Sequence, residues 1–137
     1  MADMMQFDLV SPARRLVSGE ASAVLIPGAD GDFTAMAGHA PTIATLRPGV
    51  VTVQGPAGEE KFLVTGGFAE VNAEGAAVLA EQALPVSEVT QAVFDEFLAA
   101  AIEARDNAKP EMVDQLSKEV GDIQQLAAAL GLQANAG

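Results

Sequence analysis

The sequence contains no cysteine, tryptophan or tyrosine, and only 4% of its residues are aromatic. Without cysteine the chain can form neither a disulfide nor a thiolate zinc site, which excludes disulfide-rich secreted scaffolds and zinc ribbons. Half of the residues are nevertheless hydrophobic. The core must therefore consist mainly of valine, leucine, isoleucine and alanine, and 137 residues are enough for one modest core or for a small domain with an appendage.

Basic residues are also scarce. Seven lysines and arginines stand against 19 aspartates and glutamates, which gives a formal net charge of -12. Such a surface repels phosphate backbones, and the sequence lacks the clusters of lysine and arginine that are typical of nucleic-acid interfaces. We therefore expect no nucleic-acid partner.

Long hydrophobic runs are missing as well. No stretch approaches the roughly 20 apolar residues that a membrane-spanning helix needs. The first six residues show neither a basic leader nor an arginine-rich transit segment. We expect the protein to stay in the cytosolic compartment unless it binds a membrane partner, and the missing transit segment favours a bacterial source.

Catalytic and nucleotide-binding motifs are absent too. The sequence has no phosphate-binding Gly-x-x-x-x-Gly-Lys-Ser/Thr loop, no Gly-x-Gly-x-x-Gly fingerprint and no Gly-x-Ser-x-Gly nucleophile elbow. His39 is the only histidine, and we interpret it as a turn residue or an interface residue in preference to a general base. Asp30 and Asp32 are typical of a solvated turn more than of a calcium site. We expect no catalytic residue, cofactor or metal.

What the chain does contain, up to residue 86, is a series of short apolar runs separated by glycine and proline. Phe7 and Leu9 alternate with polar neighbours, and the glycine-containing segments 27–32, 55–58 and 72–75 are typical of turns. This pattern predicts about eight to ten short strands with no helix between them. We therefore predict an antiparallel β-sandwich or flattened barrel over residues 1–86.

Three details of this β-region follow from the same reading. The first three strands have the spacing of a meander. The Asp30-Gly31 pair favours a hairpin tip, in a loop that carries two carboxylates beside an exposed Phe33. The Gly66-Gly67 pair indicates a bulge or a close approach of two backbones.

After Pro85 the pattern changes to a helical period. Val89, Val93 and Phe97 recur at four-residue intervals, with Glu88 expected in the first turn. Residues 107–110 break the pattern, and a second helix then extends to a tail, 133–137, with too little apolar surface to become ordered. The fold class is α+β, with a helical hairpin over 87–137. This hairpin is too small to be stable alone, so it either braces the sandwich or is a movable arm.

Six segments, in this order and at this spacing, resemble a known family. They are Phe7-Asp8-Leu9-Val10-Ser11-Pro12, Leu16-Val17-Ser18-Gly19-Glu20, Gly38-His39-Ala40-Pro41, Leu46-Arg47-Pro48-Gly49-Val50-Val51, Gly66-Gly67-Phe68-Ala69-Glu70-Val71 and Val78-Leu79-Ala80-Glu81. With the hairpin that follows, they make nearly the whole chain similar to the epsilon subunit of the F-type ATP synthase, the counterpart of the mitochondrial delta subunit.

The resemblance implies a non-catalytic rotor subunit of the central stalk, which links the gamma subunit to the ring of c subunits and couples proton flow to ATP synthesis. It implies a peripheral location on the cytoplasmic side of the bacterial inner membrane, reached only through the complex. By position, the c-ring-facing residues are Asp30, Gly31, Asp32 and Phe33, and the gamma-facing residues are Ser11, His39 and Thr42. Acidic residues on the first surface would suit polar, basic loops of the c-ring.

The C-terminal helices of this family also reach the catalytic alpha and beta subunits. Here the sequence departs from the family pattern, because Leu98 occupies the arginine position of the ATP-binding signature Ile/Leu-Asp-x-x-Arg-Ala. Basic residues after position 86 are limited to Arg105, Lys109 and Lys118. We therefore expect no ATP binding and at most weak inhibition of ATP hydrolysis.

Two other functions remain open at this point. The first is a regulatory module, a β-sandwich with a helical hairpin that binds a nucleotide or another effector, which would need a basic contact for phosphate. The second is a small hydrolase that uses His39.

The chain departs from the family pattern at a second place. Before Gly38 it has Thr34-Ala35-Met36-Ala37 in place of Gly-x-Leu/Tyr-Pro, which indicates a softer loop at that point.

Overall fold

The computed structural model describes residues 4–134. Residues 1–3 and residues 135–137, which end the expected disordered tail, lie outside the described residues. The chain forms two compact units, Met1–Pro85 and Val86–Gly137.

The first unit is a sandwich of two five-stranded sheets, as the sequence predicts. In chain order its strands are β1 (Met5–Val10), β2 (Arg15–Ala21), β3 (Ala23–Gly28), β4 (Gly31–Ala35), β5 (Thr42–Thr45), β6 (Gly49–Gly55), β7 (Gly58–Thr65), β8 (Phe68–Val71), β9 (Gly75–Leu79) and β10 (Gln82–Pro85). Sheet A has the order β2-β1-β9-β8-β5, and sheet B has the order β10-β7-β6-β3-β4. The named strands pair antiparallel except β1 with β9, which run parallel.

The core of the sandwich consists of the inward-facing residues of both sheets. In β1, for example, Met5, Phe7 and Leu9 are buried while the residues between them are exposed or half-buried, as a period of two requires. The largest fully buried side chains of this core are Phe7, Leu9, Val24, Ile26, Val51, Val64, Val71 and Val78. Aliphatic residues thus supply nearly all of the buried volume, as the low aromatic content predicts.

Three expectations for the sandwich were wrong. The first three strands do not form a meander, because the chain leaves sheet A after Ala21 and β3 pairs with β4 and β6 in sheet B. Asp32 and Phe33 lie in strand β4 and not in a loop, and Phe33 packs against the core. Strand β10 was not predicted, because only four residues form it, at the edge of the sheet beside β7.

The predicted close approach at Gly66-Gly67 is present. Gly67 adopts φ +95°, and a Cβ atom at this position would overlap the carbonyl oxygen of Leu79. The two backbones can therefore approach this closely only if residue 67 has no side chain.

The second unit is a pair of helices. A one-turn 3-10 helix, Val86–Glu88, precedes α1 (Gln91–Asp106), and a second, Pro110–Met112, precedes α2 (Val113–Ala129). Thr90 caps α1 by accepting a hydrogen bond from the amide of Val93 at 3.2 Å. Glu88 therefore lies before α1 and not in its first turn, because the capping threonine starts the helix two residues after it.

The two helices bury a shared apolar seam. Phe94 and Leu98 of α1 and Val120, Ile123 and Ala127 of α2 are buried. The seam follows the helical period that the sequence shows, with spacings of three and four residues.

A nonlocal contact closes the open end of this pair. The side chain of Gln91, at the start of α1, accepts from the amide of Gln133 at 3.0 Å and donates to its carbonyl oxygen at 2.6 Å. Gln133, the first residue of the expected disordered tail, is therefore hydrogen-bonded to the beginning of the helical unit.

The first prediction concerns Gly67. Gly67→Ala should lower the free energy of unfolding by more than about 2 kcal/mol, because it combines an unfavourable φ with a clash against backbone. The matched control is Gly19→Ala in β2, where a Cβ meets no atom within 4 Å. Urea unfolding followed by circular dichroism gives both values, since the chain has no tryptophan to report by fluorescence. Equal stability of the two variants would contradict the prediction.

Candidate functional site

The four residues predicted to face the c-ring lie together at the tip of the β3–β4 hairpin. Gly28 pairs with Gly31, so Ala29 and Asp30 form a two-residue turn between the strands. Asp30 and Asp32 are exposed, and Phe33 is half-buried. The structure therefore brings these residues into one protruding element, which we name the hairpin tip (residues 28–33).

The two carboxylates of the hairpin tip differ in their surroundings. Asp32 forms an ion pair with Arg47, whose Nε also donates to the carbonyl oxygen of Gly28 at 3.2 Å. Asp30 forms no side-chain hydrogen bond or ion pair with any described residue. Asp30 is thus the carboxylate of the tip whose charge is left uncompensated.

His39 lies beside the hairpin tip. Its ring centroid is 6.2 Å from that of Phe33, with the two planes tilted by 43°. Its Nδ1 lies 2.7 Å from the carbonyl oxygen of Ala40, to which Thr42 Oγ1 donates at 3.0 Å. The half-buried imidazole is thus held by a backbone carbonyl, as the interpretation of His39 as a turn residue predicts.

Ser11 has a different environment from His39 and Thr42. It is 7% exposed, and its Oγ accepts from the amide of Arg14 at 3.3 Å, closing the turn between β1 and β2. Ser11 follows Val10, which pairs with Leu79, whereas Thr42 pairs with Val71 at the other end of β8. The three residues predicted to face gamma therefore do not form one cluster.

Between these two ends lies the outer face of sheet A, which is unusually apolar. Across three strands of this face, Val10 pairs with Leu79 and Leu79 pairs with Phe68. Phe68 also pairs with Thr45 in β5, and Ile43 lies two residues before Thr45 on the same face. Ile43 is 76% exposed, Phe68 44% and Leu79 40%. We name these four residues the apolar patch, and exposed patches of this kind mark interaction surfaces.

A groove runs along one side of the apolar patch. Its volume is about 470 Å³, and it is lined by Val10, Ser11, Pro12, Gly67, Phe68, Leu79, Ala80 and Glu81. Its lining is mainly apolar, with Glu81 as the one charged side chain among these residues.

The helical unit shows where Leu98 lies. Leu98 is fully buried in the seam between α1 and α2. Its neighbour in the signature, Asp95, accepts a hydrogen bond from the side chain of Gln91 at 2.9 Å. Position 98 therefore contributes packing here, not a charge for phosphate.

Comparison with known proteins identifies the family of the chain. Residues 4–86 match the family described as ATP synthase, delta/epsilon chain, beta-sandwich domain. The ATP synthase epsilon chain of Cereibacter sphaeroides is 53% identical over 131 residues, which cover 96% of this chain and 99% of that relative. The chain belongs to the ATP synthase epsilon chain family. It is accordingly a non-catalytic subunit of an ATP synthase, so the hydrolase alternative falls.

Chains in two solved ATP synthase structures share the fold. A chain in the structure of the Euglena gracilis mitochondrial ATP synthase (OSCP, F1 and c-ring) superposes with a TM-score of 0.71 at 23% identity, covering 93% of this chain and 81% of that one. A chain in the central stalk and c-ring structure from Tetrahymena thermophila gives a TM-score of 0.52 at 14% identity, covering 86% and 97%. At these identities the likeness is one of fold.

Sequence reasoning about this epsilon-family chain missed some residues of these candidate surfaces. It did not single out Ile43, Phe68 and Leu79, although each alternates with a buried neighbour, and an apolar residue on the outward side of a strand is the signal that reveals them. It also missed Arg47, because the partners of this residue lie 15 and 19 positions away in sequence.

Two negative findings complete the description. Among residues 4–134 there is no group of three or more histidine, aspartate or glutamate side chains placed to hold a metal ion. Over the same residues, no helix has both the length and the apolar character needed to cross a membrane.

The second prediction separates a structural Ser11 from an exposed contact residue. Ser11→Ala should cost about 1 kcal/mol of stability, because the hydroxyl of this nearly buried residue would no longer donate to the carbonyl oxygen of Arg14 or accept from its amide. Ser18→Ala is the matched control, since Ser18 is exposed in β2 and forms no side-chain hydrogen bond with a described residue. Thermal and urea unfolding of the two variants provide the measurement, and an unaltered Ser11→Ala protein would contradict the structural role.

Proposed function

We propose that the chain is a rotor subunit of the central stalk, which binds the gamma subunit through sheet A and the c-ring through the hairpin tip, and so couples proton flow to ATP synthesis. The observation that carries this proposal is the coexistence, on one sandwich of the epsilon family, of an exposed apolar patch and a separate acidic tip. Two surfaces of different chemistry suit a subunit that joins two different partners.

The apolar patch is the surface we assign to gamma. An exposed phenylalanine and two exposed aliphatic residues beside a groove supply the kind of contact that stabilises a permanent protein interface. His39 and Thr42 lie near one end of the patch and Ser11 near the other, so the residues predicted to face gamma border this surface. Ser11 contributes by shaping the turn, since its hydroxyl is directed inward.

The hairpin tip is the surface we assign to the c-ring. It protrudes, is held by Arg47, and presents the carboxylate of Asp30 without a partner from the described residues. A polar, basic loop on the opposing ring would complement this charge. The solved chains of similar fold from Euglena and Tetrahymena come from assemblies that contain a c-ring, which supports the assignment.

Attachment to the membrane would then be indirect. The relative from Cereibacter sphaeroides is bacterial, and we place the chain at the inner membrane as a peripheral subunit on the cytoplasmic side, held there by the complex. The alternative module that binds a nucleotide is less well supported, since Leu98 is buried where the family signature has an arginine.

Inhibition of ATP hydrolysis by the helices is expected to be weak. Reaching acidic surfaces of the catalytic alpha and beta subunits would require basic side chains, and the helical unit has only Arg105, Lys109 and Lys118. Arg105 already contacts Asp106, with Nε 3.2 Å from its carboxylate. Few positive charges thus remain for a partner.

The third prediction tests the gamma surface. The pair of changes Phe68→Ala and Leu79→Ala should weaken binding to purified gamma subunit by about 100-fold, because two aromatic or aliphatic anchors of a desolvated contact are lost. The stability of the fold should change little, since both side chains are exposed on the outer face of sheet A. Surface plasmon resonance with the full chain measures the affinity.

The matched control for this test is Leu25→Ala. Leu25 is 40% exposed, like Leu79, but it lies in β3 of sheet B, away from the apolar patch. Its removal should leave the affinity for gamma unchanged. If Leu25→Ala weakened binding and the double variant did not, gamma would bind the other sheet and the assignment would be wrong.

The fourth prediction concerns the helices. Adding the full chain to an ATP synthase depleted of this subunit should lower ATP hydrolysis by less than about twofold, a change of about 0.4 kcal/mol in the barrier. Isothermal titration of the chain with ATP should show no micromolar binding. Strong suppression of hydrolysis, or tight ATP binding, would contradict the weak-inhibitor interpretation.

A further inference from the structure

The hairpin tip is supported by the chain segment that follows β5. The amide of Ala29 donates to the carbonyl oxygen of Thr45 at 2.7 Å, and the amide of Arg47 donates to the carbonyl oxygen of Pro27 at 3.0 Å. Gly49 lies so close to Pro27 that a Cβ on residue 49 would be 2.6 Å from the proline Cβ. The backbone at the base of the tip is therefore well determined.

One side chain adds a further contact to this backbone support. Arg47 donates from Nε to the carbonyl oxygen of Gly28 in β3, and its Nη2 contacts the carboxylate of Asp32 in β4. One planar guanidinium thus joins both strands of the hairpin, on either side of the turn. A lysine carries the same charge but presents a single ammonium, so it lacks the rigid fork needed to bind both groups in this geometry.

The energy of this ion pair does not explain its arrangement. The side chains of Arg47 and Asp32 are 30% and 49% exposed, and exposed ion pairs typically contribute little to stability. The consequence lies in position and charge. Arg47 compensates the charge of Asp32, and the fixed turn then presents Asp30 as the uncompensated carboxylate of the tip.

We propose that Arg47 is a positioning residue for the c-ring contact, which clamps Gly28 to Asp32 and thereby orients the carboxylate of Asp30 toward a basic loop of the partner. This inference rests on the proposed function of the hairpin tip as the c-ring-facing surface. It assigns the three charged residues distinct roles: Asp30 binds, Asp32 anchors and Arg47 clamps.

Positioning by Arg47 and simple charge complementarity predict opposite effects of Arg47→Met on the affinity for a basic loop. Arg47→Met removes a positive charge and makes the tip more acidic, so charge alone would strengthen binding to a basic loop. Positioning requires the opposite, since a tip that has lost its clamp must be ordered again on binding. Arg47→Lys keeps the charge and should give an intermediate loss if geometry matters.

The experiment uses two readouts on the full chain. Because the sequence has no cysteine, Ala29→Cys provides a unique site for a nitroxide label at the tip, and Ala57→Cys in the β6–β7 turn provides a control site. Electron paramagnetic resonance then reports label mobility, and surface plasmon resonance reports affinity for a gamma–c-ring assembly and for gamma alone.

We expect Arg47→Met and Asp32→Asn to raise the mobility of the label at residue 29 and to leave the label at residue 57 unchanged. Arg47→Met should weaken binding to the gamma–c-ring assembly by about tenfold, with affinity for gamma alone unaltered. Asp30→Asn should leave mobility unchanged, weaken binding to the same assembly and reduce the dependence of that binding on salt.

Three outcomes would overturn the proposal, and they distinguish it from the proposed function. In the first outcome, Arg47→Met leaves the mobility of the label at residue 29 unchanged; in the second, Arg47→Met strengthens binding to the gamma–c-ring assembly. If Asp30→Asn still weakened that binding in either case, the clamp proposal would fail and the tip would remain the c-ring contact. If neither Asp30→Asn nor Arg47→Met changed affinity for the gamma–c-ring assembly, the c-ring assignment would fail as well.

Discussion

The constraint on which the sandwich depends is that both of its sheets bury one face in a single aliphatic core. Each strand must turn alternate residues inward, and Phe7, Leu9, Val78 and Val71 follow this rule in sheet A. The residues between them then point outward, where packing in the core no longer restricts which residue type is present. The apolar patch consists of such residues, so its hydrophobic character needs an explanation other than folding, and the partner proposed above would supply one.

Alternation explains which part of the fold the sequence could predict. Where one face is buried and the other exposed, as in β1, the period of two is visible in the residues themselves. The edge strands β4 and β10 are different, because they are short and have few fully buried side chains, so their pairing depends on neighbours distant in sequence. The switch of β3 into sheet B was likewise invisible, since spacing alone does not say which strand pairs with which.

The same distinction applies to the candidate site. The turn within residues 27–32 is a local signal, and the sequence predicted it, although the two turn residues are Ala29 and Asp30 and not the Asp30-Gly31 pair. The contact of Phe33 with His39, the ion pair of Asp32 with Arg47 and the burial of Ser11 depend on tertiary structure. In the helical unit, the period predicts the buried seam, whereas the hydrogen bonds of Gln91 to Gln133 join residues 42 positions apart and could not be inferred from it.

The acidity of the chain becomes intelligible when the two surfaces are considered separately. A net charge of -12 would repel an acidic partner everywhere, so association has to rely on apolar contact or on a local basic complement. The apolar patch provides the apolar contact, and the acidic residue beside it is Glu70, which pairs with Ile43 across β8 and β5. The hairpin tip offers a negative charge for a basic partner to complement. There Arg47 limits the uncompensated charge to one carboxylate. In the proposed assembly, a single oriented charge would specify the register in which a repeating ring surface is met, and the broad apolar contact would supply most of the binding energy.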